Sequence, residues 1–548
     1  MKKILIIPAI FILASCTPEK GTNDRIKVSP VRITTEVIND RFGGVGFHVF
    51  DHVHKGPQWH YEQIFAKRWR ELNPSFARIN DDPAWDTRKL DEISRYLEVM
   101  KETNTELYFT SWNSEEIKKY KNERDYVRHE TDNLEYLKRK LGFGNIRYYC
   151  MANELSLDKW ASMINDLQYF KKIQGMFHDE FSARNLDISL LATDSSPIEY
   201  WHTIKWASEN MDDITGIYGG HHYINNYDLF DNTFYSFFHD RMKWGADLAR
   251  SKGKRFIVGE FGAKQNSNVI DSVLHDCCIY NNMPLENYLG IQVSEAVIAM
   301  INAGIYACGY WTFADFPSGY NSHYLNKWGL FRWEADNYAT KPAYYCIGLL
   351  TKFFRGPAEA YGAVSSDTLL RIATVRNLET GAVSIAVINR NDEPRIIDLE
   401  LMKGTGGTFR KYLYDPANVP FNYFGDLQSY TGKKTPRNGL FTDTIPSQAL
   451  VVYTTACDDE PPAGVAGLKW DTEKIEDRDR AVLTWEPNTE KDFCYYRIYR
   501  SEKPDVEIAP RRQIASTVSC RYIDRTVHNM PEYYYKVVAV DQSGNSSE

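Results

Sequence analysis

Between Gly43 and Asp315, short apolar runs alternate with stretches whose apolar residues recur at helical spacing, and this alternation constrains the fold more than any other feature of the chain. The strand-like runs are Gly43 to Phe50, Phe76 to Asn80, Glu106 to Asn113, Arg147 to Leu155, Ile188 to Asp194, Thr215 to Tyr223, Arg255 to Gly262 and Ile305 to Asp315. Helical spacing marks Leu90 to Thr103, Asn133 to Leu141, Asp158 to Arg184, Glu199 to Met211, Phe234 to Lys252 and Leu285 to Ala303. Strands of a parallel sheet read as near-continuous apolar runs because helices cover both faces. Eight such units in about 300 residues predict an α/β fold, a (β/α)8 TIM barrel. The alternative is a doubly wound sheet. That fold normally carries a glycine-rich phosphate loop after its first strand, and none occurs here.

The rest of the 548-residue chain has a different texture. Lys341 to Phe354 reads as a helix, so the barrel is assigned residues 36–355. Residues 356–457 carry short alternating strands with turn signals at Asn377 to Gly381 and Asn391-Asp392, which predicts a β-sandwich. Ile26 to Thr34, after a tether, could add one strand to it. The Pro- and acid-rich stretch Asp458 to Gly464 reads as a linker. Residues 465–548 form a second all-β unit. Its runs Val482 to Trp485, Tyr495 to Tyr499 and Tyr533 to Val540 resemble strands B, C and F of a fibronectin type III domain, with Trp485 as the core tryptophan. That resemblance leaves its last strand to begin at Gly544, so the strand is either absent or cut short. A spacer role is favoured for this unit over a sugar- or protein-docking one.

In a TIM barrel the reactive groups sit where strands end and loops begin. Asn153-Glu154 ends the fourth run and Glu260 the seventh. A carboxylate at the end of an apolar strand costs too much to bury without a partner or a purpose. Alone, Glu154 is as well explained by a salt bridge or a helix cap. Paired with Glu260 across a barrel mouth, it supplies what glycosidic cleavage needs: one group to protonate the leaving oxygen and one to attack the anomeric carbon. Other strand ends carry His48, Arg78, Trp112, His221, Tyr223 and Trp311.

This order of motifs resembles the clan A, or four-seven, retaining glycoside hydrolases over roughly residues 36–350. The resemblance rests on Asn153-Glu154, on Val258 to Gly262 around Glu260, on His221 and Tyr223 two residues apart, and on Trp311. Leu155 stands where many members have a proline, which leaves the family within the clan open. The resemblance implies that Glu154 is the acid/base, with a pKa raised by burial, and that Glu260 is the nucleophile. It further implies that Tyr223 holds Glu260, that Asn153 grips the sugar 2-hydroxyl, and that Trp311 is a sugar platform. Trp112, His221 and His48 are expected to contact substrate, and Arg78 to brace Glu260 or another carboxylate. A β-linked polysaccharide or oligosaccharide is the expected substrate, cut in endo rather than exo fashion. β-Glucan, β-mannan, xylan and β-galactan all remain open. A second class of function is a glycan-binding protein on an inactive barrel, which would lack one of the two glutamates.

The net charge of −8, with both signs interspersed, provides no basic footprint for nucleic acid. Aromatics make up 14% of the chain, which suits sugar binding, although most aromatic rings in any such chain are core. No cofactor motif is present. The histidines His48, His52, His54 and His60 could suggest a metal, but without a His-Glu-x-x-His motif no metal is expected. The stretch Glu115 to Arg128 reads as a solvated helix face. At the start of the chain, Lys2 and Lys3, the apolar run Ile4 to Leu13 and Ala14-Ser15-Cys16 form a secretory signal. Its ending resembles a bacterial lipobox, which implies cleavage before Cys16, lipidation of that cysteine and anchoring to the outer membrane at the cell surface. Of the other eight cysteines, Cys494 and Cys520 share one small unit and could pair.

Overall fold

The computed structural model describes residues 27–49, 56–112, 114–155, 166–224, 229–263, 286–317, 325–326, 328–334, 337–527 and 533–547. The signal segment with Cys16, the pair His52 and His54, and the first turns of the Asp158 helix lie outside the described residues.

The strands β1 (Val28–Val49), β2 (Phe76–Asp81), β3 (Glu106–Ser111), β4 (Ile146–Cys150), β5 (Ser189–Ser195), β6 (Ile217–Tyr223), β7 (Phe256–Gly262) and β8 (Ala307–Tyr310) pair in parallel, each with the next. β8 returns to β1 through Gly44–Phe47, which closes the ring. The fold is therefore a TIM barrel followed by all-β units. Close strand approach has a local cause at Gly46, where a Cβ would lie 1.6 Å from the carbonyl oxygen of Phe76.

Several elements differ from the sequence reading. The two strands expected at Ile26 to Thr34 and Gly43 to Phe50 are one strand, β1. Its first half pairs with Arg355–Ser365 of the sandwich, and its last six residues enter the barrel. Four register shifts lie between Ile33 and Gly44, and bulges of this kind let one strand bend from one sheet into another. A helical segment from Gln58 to Leu72, with a π turn at Tyr61–Phe65, fills the β1–β2 crossover that had no assigned helix. The stretch Glu115 to Arg128 is not wholly solvated. It divides into a 3-10 turn and the helix Glu123–Glu135, which buries Tyr126, Val127 and Glu130. β4 and β8 stop at Cys150 and Tyr310, so Asn153, Glu154 and Trp311 stand on the turns just beyond.

Helix Glu286–Ala303 is apolar on nearly every side because it lies between the barrel and the sandwich. Strands Leu370–Asn377 and Val383–Asn389 turn Ala373, Val375, Ala386 and Ile388 to the core shared with the barrel. Their alternate residues Ile372, Ile385 and Val387 face the sandwich's own core with Ile397, Leu399 and Phe441. A sheet covered on both sides reads as a continuous apolar run, as Val383–Asn389 does. Glu295 of that helix is fully buried and pairs with Arg371 (2.7 Å) and Arg390 (3.3 Å) of the sandwich.

The last unit has two three-stranded antiparallel sheets, with Leu483, Trp485, Tyr496, Ile498, Tyr522 and Val537 between them. It is no free spacer. Asp426 of the sandwich accepts from Lys67 of the barrel (2.5 Å) and from Arg497 of this unit (2.8 Å). Gln542 also donates to the carbonyl of Arg70 (2.7 Å), and Arg410 to that of Ser543 (2.6 Å). Cys494 and Cys520 are both free thiols.

Candidate active site

Five strand ends converge on Arg78. Along β2 the side chains alternate, and period two turns Arg78 inward where Ala77 and Ile79 turn to the helices. Its guanidinium is fully buried and engages four groups. Nη1 donates to Glu260 Oε1 (2.5 Å) and to His48 Nδ1 (2.9 Å). Nη2 donates to Asn153 Oδ1 (2.6 Å) and to Asp194 Oδ2 (2.6 Å). The planar fork of arginine suits this simultaneous recognition. Burial works against the charged form, but Asp194 and Glu260 more than compensate and hold the guanidinium protonated.

Glu260 is held from both sides. Arg78 takes one oxygen, and the Tyr223 hydroxyl donates to the other. Tyr223 and His221 share a face of β6; Tyr223 reaches Glu260, and His221 lies against both glutamates. His221 Nδ1 lies 3.0 Å from Glu154 Oε1 and 3.6 Å from Glu260 Oε2. Its Nε2 lies 2.9 Å from Asp194 Oδ1. Burial would lower the His221 pKa, but Asp194 and then Glu260 raise it to about 9. Asp194 is pushed the other way: burial opposes its ionisation, and Arg78 and His221 bring its pKa well below the ordinary carboxylate range. β7 passes close under this pair, and a Cβ on Gly259 would sit 2.9 Å from His221 Nε2.

Glu154 and Asp194 both adopt left-handed backbone angles, at φ 47° and 58°. Such conformations cost of order 1–3 kcal/mol in residues other than glycine and concentrate at functional sites. The backbone N–H of Asn153 donates to the Ser111 carbonyl (2.9 Å), which carries the β3–β4 pairing out to the turn. Glu154 keeps 13% of its side chain exposed against 3% for Glu260, so Glu154 is the wetter of the two.

Trp311 and Trp112 stack with centroids 5.4 Å apart and planes 13° from parallel. They form one aromatic wall with the His48 ring, which lies 4.5 Å from Trp311 and 5.9 Å from Trp112. Arg78, expected to brace a carboxylate, engages Glu260 and Asp194, whereas His48 and His221, expected against substrate, have no exposed surface: His221 faces Glu154 and Asp194, and His48 meets Arg78 and the rings of Trp112 and Trp311. Asp194 was not among the expected residues, although it ends the fifth apolar run as Glu154 and Glu260 end theirs. Reading every strand end for a carboxylate would have found it.

Glu154, His221 and Glu260 offer ligand atoms within 4.8 Å of one another, a spacing that could also hold a metal. The charges argue for proton chemistry. Both His221 nitrogens face carboxylates, an arrangement suited to sharing protons among these groups.

No protein-family model matches the sequence, and no curated protein matches it. Solved structures do match. The bacterial orthologue of human α-L-iduronidase is 13% identical with a TM-score of 0.60, covering 95% of this chain and 99% of its own. The family 30 subfamily 8 xylanase Xyn30A of Clostridium acetobutylicum is 13% identical with a TM-score of 0.54, covering 78% and 99%. The GH39 enzyme of Xanthomonas axonopodis pv. citri is 12% identical with a TM-score of 0.51, covering 78% and 97%. At these identities the likeness shows the fold alone, a TIM barrel with an all-β companion.

Proposed function

We propose that this chain is a retaining glycoside hydrolase that cleaves β-glycosidic bonds in a polysaccharide or oligosaccharide by double displacement. One observation carries the reading. At the ends of β4 and β7, Glu154 and Glu260 bring carboxylate oxygens within 4.8 Å of each other, and only Glu260 is fastened by an arginine and a tyrosine. Retaining enzymes keep their carboxyl groups about 5–5.5 Å apart, whereas inverting enzymes need room for a water between them.

The roles follow from these surroundings. Glu260, with a fixed cation on one oxygen and a hydroxyl on the other, is the ionised nucleophile. Glu154 begins protonated and gives its proton to the glycosidic oxygen as Glu260 attacks the anomeric carbon, which forms a glycosyl-enzyme and releases the leaving group as an alcohol. Glu154, now a carboxylate, takes a proton from water, and the hydroxide equivalent displaces Glu260. Asn153 spends its carbonyl oxygen on Arg78, so its amide N–H groups are left to donate to the sugar 2-hydroxyl. The wall of Trp112 and Trp311 offers aromatic surface to a sugar ring. The matched structures include a glycoside hydrolase family 30 xylanase and an orthologue of α-L-iduronidase, which supports the class but does not choose the sugar.

The signal segment supports export with a lipid on Cys16, and so an enzyme held at the outer membrane that trims polysaccharide in endo fashion. No helix among the described residues is long and apolar enough to cross a membrane. We assign residues 1–16 to the signal, 17–35 to a tether with the sandwich strand, 36–355 to the catalytic barrel, 356–457 to the sandwich and 465–548 to the fibronectin-like unit.

Glu260→Gln is the direct test. Hydrolysis of a panel of β-glucan, mannan, xylan and galactan should fall by several orders of magnitude, with the fold intact by circular dichroism. A variant that retains near-parent turnover would sink the assignment, and binding without turnover in the parent would favour the inactive-barrel alternative. Product sizes followed over time separate endo from exo action.

A further inference from the structure

We propose that Asp194 is a positioning residue for this reaction: through His221 it orients Glu154 and supports its charge after proton transfer, and through Arg78 it holds Glu260. The inference rests on the glycosidase reading above and deepens it.

Asp194 touches both halves of the machinery at hydrogen-bond distance. Oδ2 accepts from Arg78 Nη2 at 2.6 Å, and Arg78 Nη1 reaches Glu260 Oε1 at 2.5 Å. Oδ1 lies 2.9 Å from His221 Nε2, and His221 Nδ1 lies 3.0 Å from Glu154 Oε1. An ionised carboxylate only accepts hydrogen bonds, so Nε2 must carry a proton to make its bond to Asp194. If the ring were neutral, Nδ1 would then be bare, and it would draw the proton from Glu154 toward itself and away from the glycosidic oxygen. The groups facing the ring are Asp194 on β5, Glu260 on β7, Arg78 on β2 and Glu154 beyond β4; burial and Arg78 oppose a second proton, Asp194 and Glu260 outweigh them, and Glu154 adds its charge only after it has given up its own proton. The ring is therefore an imidazolium that donates from both nitrogens. Its Nδ1–H donates to Oε1 of Glu154 and so fixes the carboxyl group that gives its proton to the leaving oxygen. After transfer, the same N–H supports Glu154 as the carboxylate that activates water.

Asp194→Asn keeps the shape and removes the charge. The amide oxygen can still accept from Arg78, and the amide N–H then faces Nε2, so the ring loses its second proton but keeps Nδ1–H toward Glu154. With an aryl glycoside whose leaving group needs no protonation, turnover reports the second step, in which Glu154 must be ionised. Loss of the neighbouring cation should move the acid limb of that profile up by about one pH unit. A group that merely held the fold together would lower kcat and leave the limb where it was. An unmoved limb in a folded variant overturns the proposal.

A second measurement does not depend on activity. In the parent, the 15N shifts of His221 should report an imidazolium throughout pH 6–8, and in Asp194→Asn a neutral ring at pH 7; a neutral ring in the parent at pH 7 would also overturn it. Failure of the glycosidase reading looks different. It would appear as no turnover by the parent on any glycoside, whatever the state of His221.

Discussion

Replacing Arg78 with methionine is the most informative perturbation this site offers. With Glu154 protonated, the enclosed cluster balances two cations, Arg78 and His221, against two anions, Asp194 and Glu260. The ion pairs of Arg78 run at 2.6 and 2.5 Å between side chains that are 0% and at most 3% exposed. Methionine fills much of the volume but leaves one buried negative charge without a partner. Breaking a buried pair in this way costs about 3–5 kcal/mol. The cheapest relief is to take up one proton on Asp194 or Glu260. The sign of the pH dependence follows: where the folded variant holds one proton more than the unfolded chain, stability rises as pH falls, by about 1.4 kcal/mol per unit. The gain continues down to roughly pH 4, where unfolded carboxylates bind protons too. Asp194 adds no such slope to the parent between about pH 7 and 5, because it stays ionised through that range, so the quantity to read is the difference in slope between variant and parent. Thermal unfolding followed by tryptophan fluorescence from pH 4.5 to 8 measures both quantities. Arg78→Met should melt well below the parent at pH 8 and approach it at pH 5, with hydrolysis lost throughout. A variant within about 1 kcal/mol of the parent, with a parallel pH dependence, would refute the charge balance argued here.

His221, with its pKa raised from 6.5 to about 9, contributes stability that is fully present below pH 6.5 and is lost as pH rises through 9, roughly 3 kcal/mol in all. The parent's melting temperature should therefore drop between pH 7 and 10, and His221→Gln should remove that drop. At the junction of the three units, Asp426→Ala leaves Lys67 and Arg497 without their shared carboxylate. The last unit should then loosen, and cleavage by a protease in residues 458–464 should quicken several-fold while hydrolysis of small glycosides is unchanged; equal cleavage rates would mean that apolar contacts alone hold it.

The apolar run Arg255 to Gly262 and its terminal Glu260 show why part of this protein is legible from its residues. Strand burial and the alternation of side chains act over a few residues, so a carboxylate at the end of an apolar run stands out locally. The same signal at Asp194 was passed over because its purpose is not local: it lies in Arg78 and His221, residues 116 and 27 positions away. The bend of β1 from sandwich into barrel was hidden for a related reason, since bulges depend on the partner strands Arg355–Ser365 and Phe76–Asp81 as much as on the bulged residues.

The sequence by itself determined the eightfold alternation, the two glutamates at the fourth and seventh strand ends, and the all-β character of everything after Phe354. Periodicity and strand-end chemistry are properties of neighbours along the chain. Only the tertiary structure decided that His221 faces the carboxylates and His48 backs Arg78, that Asp194 joins them, and that the last unit is clamped through Asp426. Those are matters of charge balance, and a buried charge takes whichever partner barrel closure brings within about 3 Å, however far away that partner lies in the chain.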